Sequence, residues 1–152
     1  MIYMNHKENI IMTKSGNKLI AHRGNTTGKS KHENDPQYIL NALDQGYDVE
    51  VDVSYRDKNF WLGHDNNKYR VNLDFLSDER IWCHLKDKES LKQIIDIIGS
   101  EEINYFWHTS EDFVITSKGF LWHHSKCPLS DLTSKSIIVL PENKKIFPRR
   151  NK

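Results

Sequence analysis

The most regular pattern in the chain is an alternation of acidic and aliphatic residues over residues 48–53. A period of two is that of a β-strand, so Asp48, Glu50 and Asp52 are predicted on one face and three valines on the other. Residues 81–86 alternate in the same way. One face would hold Ile81, Cys83 and Leu85, and the opposite face Trp82, His84 and Lys86.

Two segments have the spacing of amphipathic helices. The first is predicted to begin at Asp35 as N-cap, with Pro36 in its first turn, and to end at Gly46. The second covers residues 88–98 and would end at Gly99. Their predicted apolar stripes are Tyr38, Ile39, Ala42 and Leu43 in the first helix, and Leu91, Ile94, Ile95 and Ile98 in the second.

The last third of the chain lacks helical spacing. Its apolar runs, at residues 103–108, 113–116, 120–123 and 137–140, predict strands without helices between them. Residues 1–16 show little periodicity, so we expect them to form a flexible N-terminal arm. We expect a single domain over residues 17–143 and a basic C-terminal tail at residues 144–152.

Charge and cysteine content limit the partners and the cellular compartment that we expect for this chain. The 22 Lys and Arg against 21 Asp and Glu leave a net charge of +1, so no general field attracts nucleic acid or an anionic membrane. Cys83 and Cys127 lack paired spacing, which favours a reducing, cytoplasmic location. No apolar stretch reaches the roughly 20 residues of a membrane helix, and the N-terminus lacks the pattern of a signal peptide.

Candidate chemistry lies where predicted strands end. Glu50 and Asp52 share a face and could hold a divalent cation, although alternating charge is also typical of an exposed strand face. His22 can move protons near neutral pH, and the adjacent Arg23 suits phosphate. His64, beside Asp65, is a second such histidine. A base, an acid, a cationic clamp and a metal site are what phosphodiester cleavage needs.

These residues also form an ordered motif. Residues 18–65 resemble the opening of the glycerophosphodiester phosphodiesterase family, through His22–Arg23–Gly24, Glu33–Asn34, Ala42 with Gly46, Glu50–Val51–Asp52–Val53 and His64–Asp65. The resemblance implies a TIM-type (β/α) barrel, a metal at Glu50 and Asp52, and acid–base catalysis by His22 and His64. It also implies that Arg23 binds the phosphate and that Glu33 ligates the metal or lies just behind it.

Two departures from the family pattern modify these expectations. His84–Leu85–Lys86 stands where the family has Glu-x-Lys, so His84 becomes a candidate ligand and Lys86 a candidate substrate-binding residue. We expect magnesium or calcium, with manganese or zinc as alternatives. Trp82 shares their face and could line the substrate pocket.

A full barrel takes about 250 residues, so we expect an α/β fold with a trimmed or partly open barrel, which a second copy of the chain could close.

The predicted function is metal-dependent hydrolysis of a small glycerophosphodiester-like substrate. A lyase that forms a cyclic phosphate and a phosphate-binding protein without turnover are the alternatives, and an interaction module is a third class. His108, His123 and His124 near strand ends are weaker candidates for a second metal site, because neighbouring histidines are also typical of surfaces. Glu142 could reach the same edge of the fold.

Overall fold

The structure is a computed structural model that describes residues 10–13, 19–98, 102–123 and 128–138. The predicted tail, Gly99, His124 and Glu142 lie outside the described residues. The strands are β1 (Ile10–Thr13), β2 (Leu19–His22), β3 (Asp48–Arg56), β4 (Asn59–Leu62), β5 (Tyr69–Val71), β6 (Ile81–Leu85), β7 (Tyr105–Phe106), β8 (Phe113–Ile115), β9 (Leu121–His123) and β10 (Ser136–Ile138). The helices are α1 (Pro36–Asp44), α2 (Leu73–Leu76) and α3 (Lys88–Gln93), which continues as a π-helical turn over Ile94–Ile98.

The described strands form one mixed sheet. Its main path runs β5-β4-β3-β2-β1-β10-β9-β8, and β6 pairs with the other side of β3 and carries β7 beyond it. The neighbours β2–β3, β3–β6 and β6–β7 are parallel. β1 lies antiparallel to both β2 and β10, within the segment assigned to the N-terminal arm.

The predicted α/β fold with a trimmed or partly open TIM-type barrel is wrong. Such a barrel needs parallel strands that are each followed by a helix, in a sheet closed on itself. Here the helices are few and short, β1, β4, β5 and β8 run antiparallel to neighbours, and no ladder in the described residues closes the sheet. One physical reason is the length of the links between strands. The link between β8 and β9 is far shorter than the dozen residues that a connection between parallel strands needs.

Both predicted helices form, and their first residues explain why. The Asp35 side chain accepts a hydrogen bond from the Gln37 N–H and caps α1, with Pro36 at its first position. After α1 the chain turns at Gly46, whose φ of +89° suits glycine. Asp87 caps α3 by accepting from the Ser90 N–H.

The two faces predicted for β3 and β6 are confirmed. Val49, Val51 and Val53 pack in the main core with Ile81, Cys83 and Leu85, and α1 and α3 cover that face. The acidic residues of β3 lie on the opposite face with the alternate residues of β6. A second apolar cluster on this face consists of Ile20, Trp82, Phe106, Trp122 and Ile137.

The far ends of the sheet approach each other at β7. The Ser117 N–H donates to the Tyr105 carbonyl oxygen at 2.8 Å, and the Tyr105 N–H donates to Ser117 Oγ at 2.9 Å. The rings of Phe106 and Trp122 stack at 4.2 Å between centroids. The sheet therefore curls, and residues distant in sequence face one pocket.

Candidate active site

A pocket of about 260 Å³ opens on the face opposite the main core. It lies where the carboxyl ends of the parallel strands β2, β3, β6 and β7 meet. Its lining residues are His22, Arg23, Glu50, His64, His84, Lys86, His108, Glu111, Val114 and Trp122. The curled sheet thus gathers both predicted histidines, the predicted phosphate-binding arginine and part of the predicted metal site.

Asp52 lies beneath the pocket and is fully buried. Its Oδ2 accepts a hydrogen bond from Asn34 Nδ2 at 3.0 Å, and its N–H donates to Asn34 Oδ1 at 2.9 Å. Asp52 Oδ1 makes no hydrogen bond. One side of this carboxylate is therefore fixed, and the other oxygen is directed towards the neighbouring donor groups.

Arg23 joins the β2 end of the pocket to β3. Its Nε lies 2.8 Å from Asp52 Oδ2 as an ion pair, and its Nη1 donates to Glu33 Oε2 at 3.1 Å. Glu33 Oε1 also accepts from Asn25 Nδ2 at 2.9 Å. Burial raises the pKa of Glu33, but the hydrogen bonds from Asn25 and Arg23 outweigh burial and leave it below its ordinary value. Glu33 therefore orients the guanidinium from behind the carboxylates.

Glu50, Asp52 and His84 form a compact cluster, with one possible ligand atom from each within 4.8 Å of the others. His84 Nδ1 lies 3.6 Å from Glu50 Oε1 and 3.4 Å from Asp52 Oδ1. Burial lowers the pKa of His84, but the two carboxylates overcome that effect and raise it above the ordinary value. The cluster could hold a metal ion, with Asp52 Oδ1, which has no hydrogen-bond partner, as a buried ligand atom.

His22, at the end of β2, reaches the same carboxylates. Its Nε2 lies 3.6 Å from Glu50 Oε2, and its buried Nδ1 has no hydrogen-bond partner. The next residue, Arg23, donates its N–H to the Glu50 carbonyl oxygen at 2.8 Å, which continues the β2–β3 pairing beyond the strand. The strand pairing therefore fixes the position of the histidine relative to Glu50.

His64 lies on the loop that follows β4 and is 43% exposed. Its Nδ1 is 2.6 Å from Asp65 Oδ1, which fits the expected orientation of the ring by the aspartate. Ser54 Oγ donates to Asn67 Oδ1 at 2.6 Å and ties the loop to β3. Gly63 begins the loop with a φ of +147°.

The two predicted substrate-binding residues of β6 differ in position. Lys86 lines the pocket, with its Nζ 3.6 Å from Asp52 Oδ1. Trp82 lies deeper in the second apolar cluster, and its Nε1–H donates to Asp48 Oδ2 at 3.0 Å. Trp122 is the tryptophan that lines the pocket.

The far wall of the pocket was not predicted from the sequence. His108 follows Phe106 by two residues, so continued alternation along β7 could have placed it on this face. Its ring stacks on His84 at 4.5 Å. Hydrogen bonds from the N–H groups of Thr109 and Ser110 hold Glu111 and lower its pKa to about 2. His123 is buried instead, with Nε2 2.9 Å from Ser136 Oγ.

Comparison of the chain with protein-family models, curated proteins and solved structures found no match in any of the three. Among the described residues, no helix has the length and apolar character needed to cross a membrane. The motif in the sequence and the geometry of the pocket are therefore the features that bear on the function of this chain.

Proposed function

We propose that this protein hydrolyses a small phosphodiester with the help of a divalent metal ion. The observation that carries the proposal is that His22 and His64 line one pocket together with Arg23 and the carboxylate cluster. This grouping supplies two proton-transfer groups, a cationic clamp and a set of metal ligands. The order of these residues in the chain, which resembles glycerophosphodiester phosphodiesterases, supports a substrate of that class.

The histidines would share the two proton transfers. With its Nδ1–H directed at Asp65, His64 presents Nε2 for exchange of a proton. His22, beside Glu50, is the second group. One would deprotonate the nucleophile, a water or a neighbouring substrate hydroxyl, and the other would protonate the leaving alcohol oxygen.

The cations of the pocket would bind and stabilise the phosphate. Arg23 is held by Glu33 and Asp52 with its guanidinium at the pocket wall, and Lys86 reaches the same wall from β6. Glu50, Asp52 and His84 would hold the metal ion, which would supply Lewis-acid stabilisation of the negative charge on the phosphoryl oxygens.

We expect the protein to act in the cytoplasm. Cys83 is a free thiol, and the reducing conditions of the cytoplasm keep thiols in that form.

The test is turnover of glycerophosphocholine, whose alkoxide leaving group needs a proton, with magnesium, calcium, manganese or zinc. We expect metal-dependent release of the alcohol that falls by about a hundredfold or more in His22→Ala and in His64→Ala, since acid–base groups contribute at least that much. His32→Ala is the matched control, because His32 is exposed and is not among the lining residues.

Three outcomes separate the alternatives. Turnover of wild-type magnitude in either pocket variant would contradict the proposed roles. A cyclic phosphate product from a substrate with a neighbouring hydroxyl would identify a lyase. Tight binding of a phosphodiester with no turnover under any metal would identify a binding protein.

A further inference from the structure

The cluster of Glu50, Asp52 and His84 offers a metal ion both oxygen and nitrogen ligand atoms. Glu50 and Asp52 contribute oxygen atoms, and the third possible ligand atom comes from the imidazole of His84. Calcium takes six to eight oxygen ligands and magnesium an octahedron of oxygens, whereas imidazole nitrogen suits zinc and other transition metals. Catalytic zinc sites combine three nitrogen or oxygen ligands from the protein with an open position.

The cluster has a buried atom that lacks a hydrogen bond. Asp52 is fully buried, and its Oδ1 has no hydrogen-bond partner although it lies 3.4 Å from His84 Nδ1. Lys86 Nζ lies 3.6 Å from this oxygen, which therefore has charged neighbours but no hydrogen bond, and a bound ion would supply the missing contact. This observation is independent of the acidic character of the cluster and points to a cation between the three side chains.

The neighbouring rings hold His84 in place. Its ring stacks on Phe106 at 4.9 Å and on His108 at 4.5 Å, with an interplanar angle of 10° in each case. The stacking holds the ring in the orientation that keeps Nδ1 towards both carboxylates. A pre-oriented ligand loses little conformational entropy on binding, so the imidazole favours the ions that accept nitrogen.

Nearby cations already balance the charge of the carboxylates. Arg23 Nε lies 2.8 Å from Asp52 Oδ2, and Lys86 Nζ lies 3.6 Å from Asp52 Oδ1. An ion that binds mainly through electrostatic attraction, such as calcium or magnesium, gains less from carboxylates that are partly neutralised. An ion that gains from a nitrogen ligand depends less on the net charge of the site.

We propose that the Glu50, Asp52 and His84 cluster is a transition-metal site of the zinc type, which selects Zn²⁺ over Mg²⁺ and Ca²⁺ through His84. The inference rests on the proposed function, because it names the ion of the same site. It replaces the expectation of magnesium or calcium with a selectivity that the imidazole provides.

The test measures the binding of ZnCl₂, MgCl₂ and CaCl₂ to the full chain by isothermal titration calorimetry, without substrate. We expect one Zn²⁺ per chain and an affinity for Zn²⁺ that falls by about tenfold or more in His84→Gln. In His84→Glu, which provides an oxygen ligand, we expect the ratio of Zn²⁺ to Ca²⁺ affinity to fall by about tenfold or more. His32→Gln controls for binding to exposed histidines, and circular dichroism checks that each variant folds.

A measurement on the wild-type chain does not depend on the folding of a variant. Addition of Zn²⁺ should shift the ¹⁵N resonance of His84 Nδ1, and addition of Ca²⁺ should not. An unchanged His84 resonance, or an unchanged Zn²⁺ affinity in a folded His84→Gln, would overturn the inference. Failure of hydrolysis alone would leave the binding result intact, so the two proposals fail separately.

Discussion

The environment of Asp52 illustrates how single residues prepare the pocket. Burial raises the pKa of this carboxyl, but His84, Arg23, Asn34 and Lys86 together outweigh burial and hold the pKa well below its ordinary value. Asp52 is therefore ionised across the whole range in which the protein would work. A permanently charged carboxylate suits both the ion pair with Arg23 and a metal ion.

Asn34→Ala should destabilise the protein, and the loss should persist at acidic pH. The substitution removes both hydrogen bonds to Asp52, and we expect a loss of about 1–3 kcal/mol in the free energy of unfolding at pH 7. The lowered pKa of Asp52 stabilises the fold above the ordinary carboxyl pKa of 3.8, and this stability is lost as the pH falls through the folded value. Because the folded pKa lies well below the ordinary value and the charges of His84, Arg23 and Lys86 remain in the variant, Asp52 stays ionised in both folded proteins at pH 3. The deficit of the variant should therefore be similar at pH 3 and pH 7.

Urea unfolding at both pH values measures the deficit. It should include the bond from the Asp52 N–H to Asn34, which does not depend on ionisation. Asn41→Ala, at an exposed position of α1, is the control and should change stability little at either pH. A deficit that disappears at pH 3 would show that the folded Asp52 is protonated there, so that its pKa is not lowered as described.

At the scale of elements, the loop after β4 decides where His64 lies. A Cβ at Gly63 would collide with the backbone carbonyl oxygen of Asn66, and the φ of +147° is one that side chains rarely adopt. The Gly63 N–H also donates to the Asp52 carbonyl oxygen at 3.1 Å, so the loop is anchored to β3 beside the Glu50, Asp52 and His84 cluster. The loop cannot accommodate a side chain at Gly63 without a shift of its backbone.

Gly63→Ala should lower turnover by displacing His64, while the rest of the sheet is retained. The expected loss in kcat is about tenfold or more, since small displacements of a catalytic group have large effects on rate. Gly119→Ala is a matched control, because Gly119 also has a positive φ but has open space around it. If both variants lose stability equally and neither loses turnover selectively, the loop does not position a catalytic group.

Elements with unbroken patterns could be predicted from the sequence. The alternation of β3 and β6 gave the correct faces, because each strand contacts the helical layer on one side and the pocket on the other. The predicted cap at Asp35 places the start of α1, and α3 begins at Lys88, where the predicted helical segment begins. The sequence did not predict the change from α3 to π-helical hydrogen bonding at Ile94, because helical spacing does not separate these patterns.

At the scale of the whole molecule, the features that could not be predicted are those that depend on contacts between segments distant in sequence. Val114 and Trp122 reach the pocket only because β8 and β9 fold back towards β7, and no local pattern encodes that approach. The pocket side of β2, β3 and β6 was predictable from the motif, whereas the opposite wall was not. Because the described strands form no barrel that a second copy could close, only the more general expectation of a homo-oligomer stays a prediction.

Ser117→Ala should weaken the junction between the two ends of the sheet. Ser117 Oγ accepts from the Tyr105 N–H and donates to the Ile103 carbonyl oxygen at 3.0 Å, so the variant loses two hydrogen bonds. We expect a fall of about 1–3 kcal/mol in the free energy of unfolding, measured by urea titration with tryptophan fluorescence. Ser130→Ala, at an exposed position, should have little effect. Equal stability of both variants would show that the two side-chain hydrogen bonds of Ser117 contribute nothing to stability.

The pairing of β1 with β10 has a consequence for synthesis of the chain. Met12 lies opposite Ile138, so strands from the two ends of the described sequence are neighbours inside the sheet. On the ribosome, β1 and β2 emerge long before β10, and the outer edge of β1 then presents unpaired N–H and carbonyl groups. The nascent chain would need to be shielded from other nascent chains during this interval, and chaperone demand should be greatest just before β10 emerges.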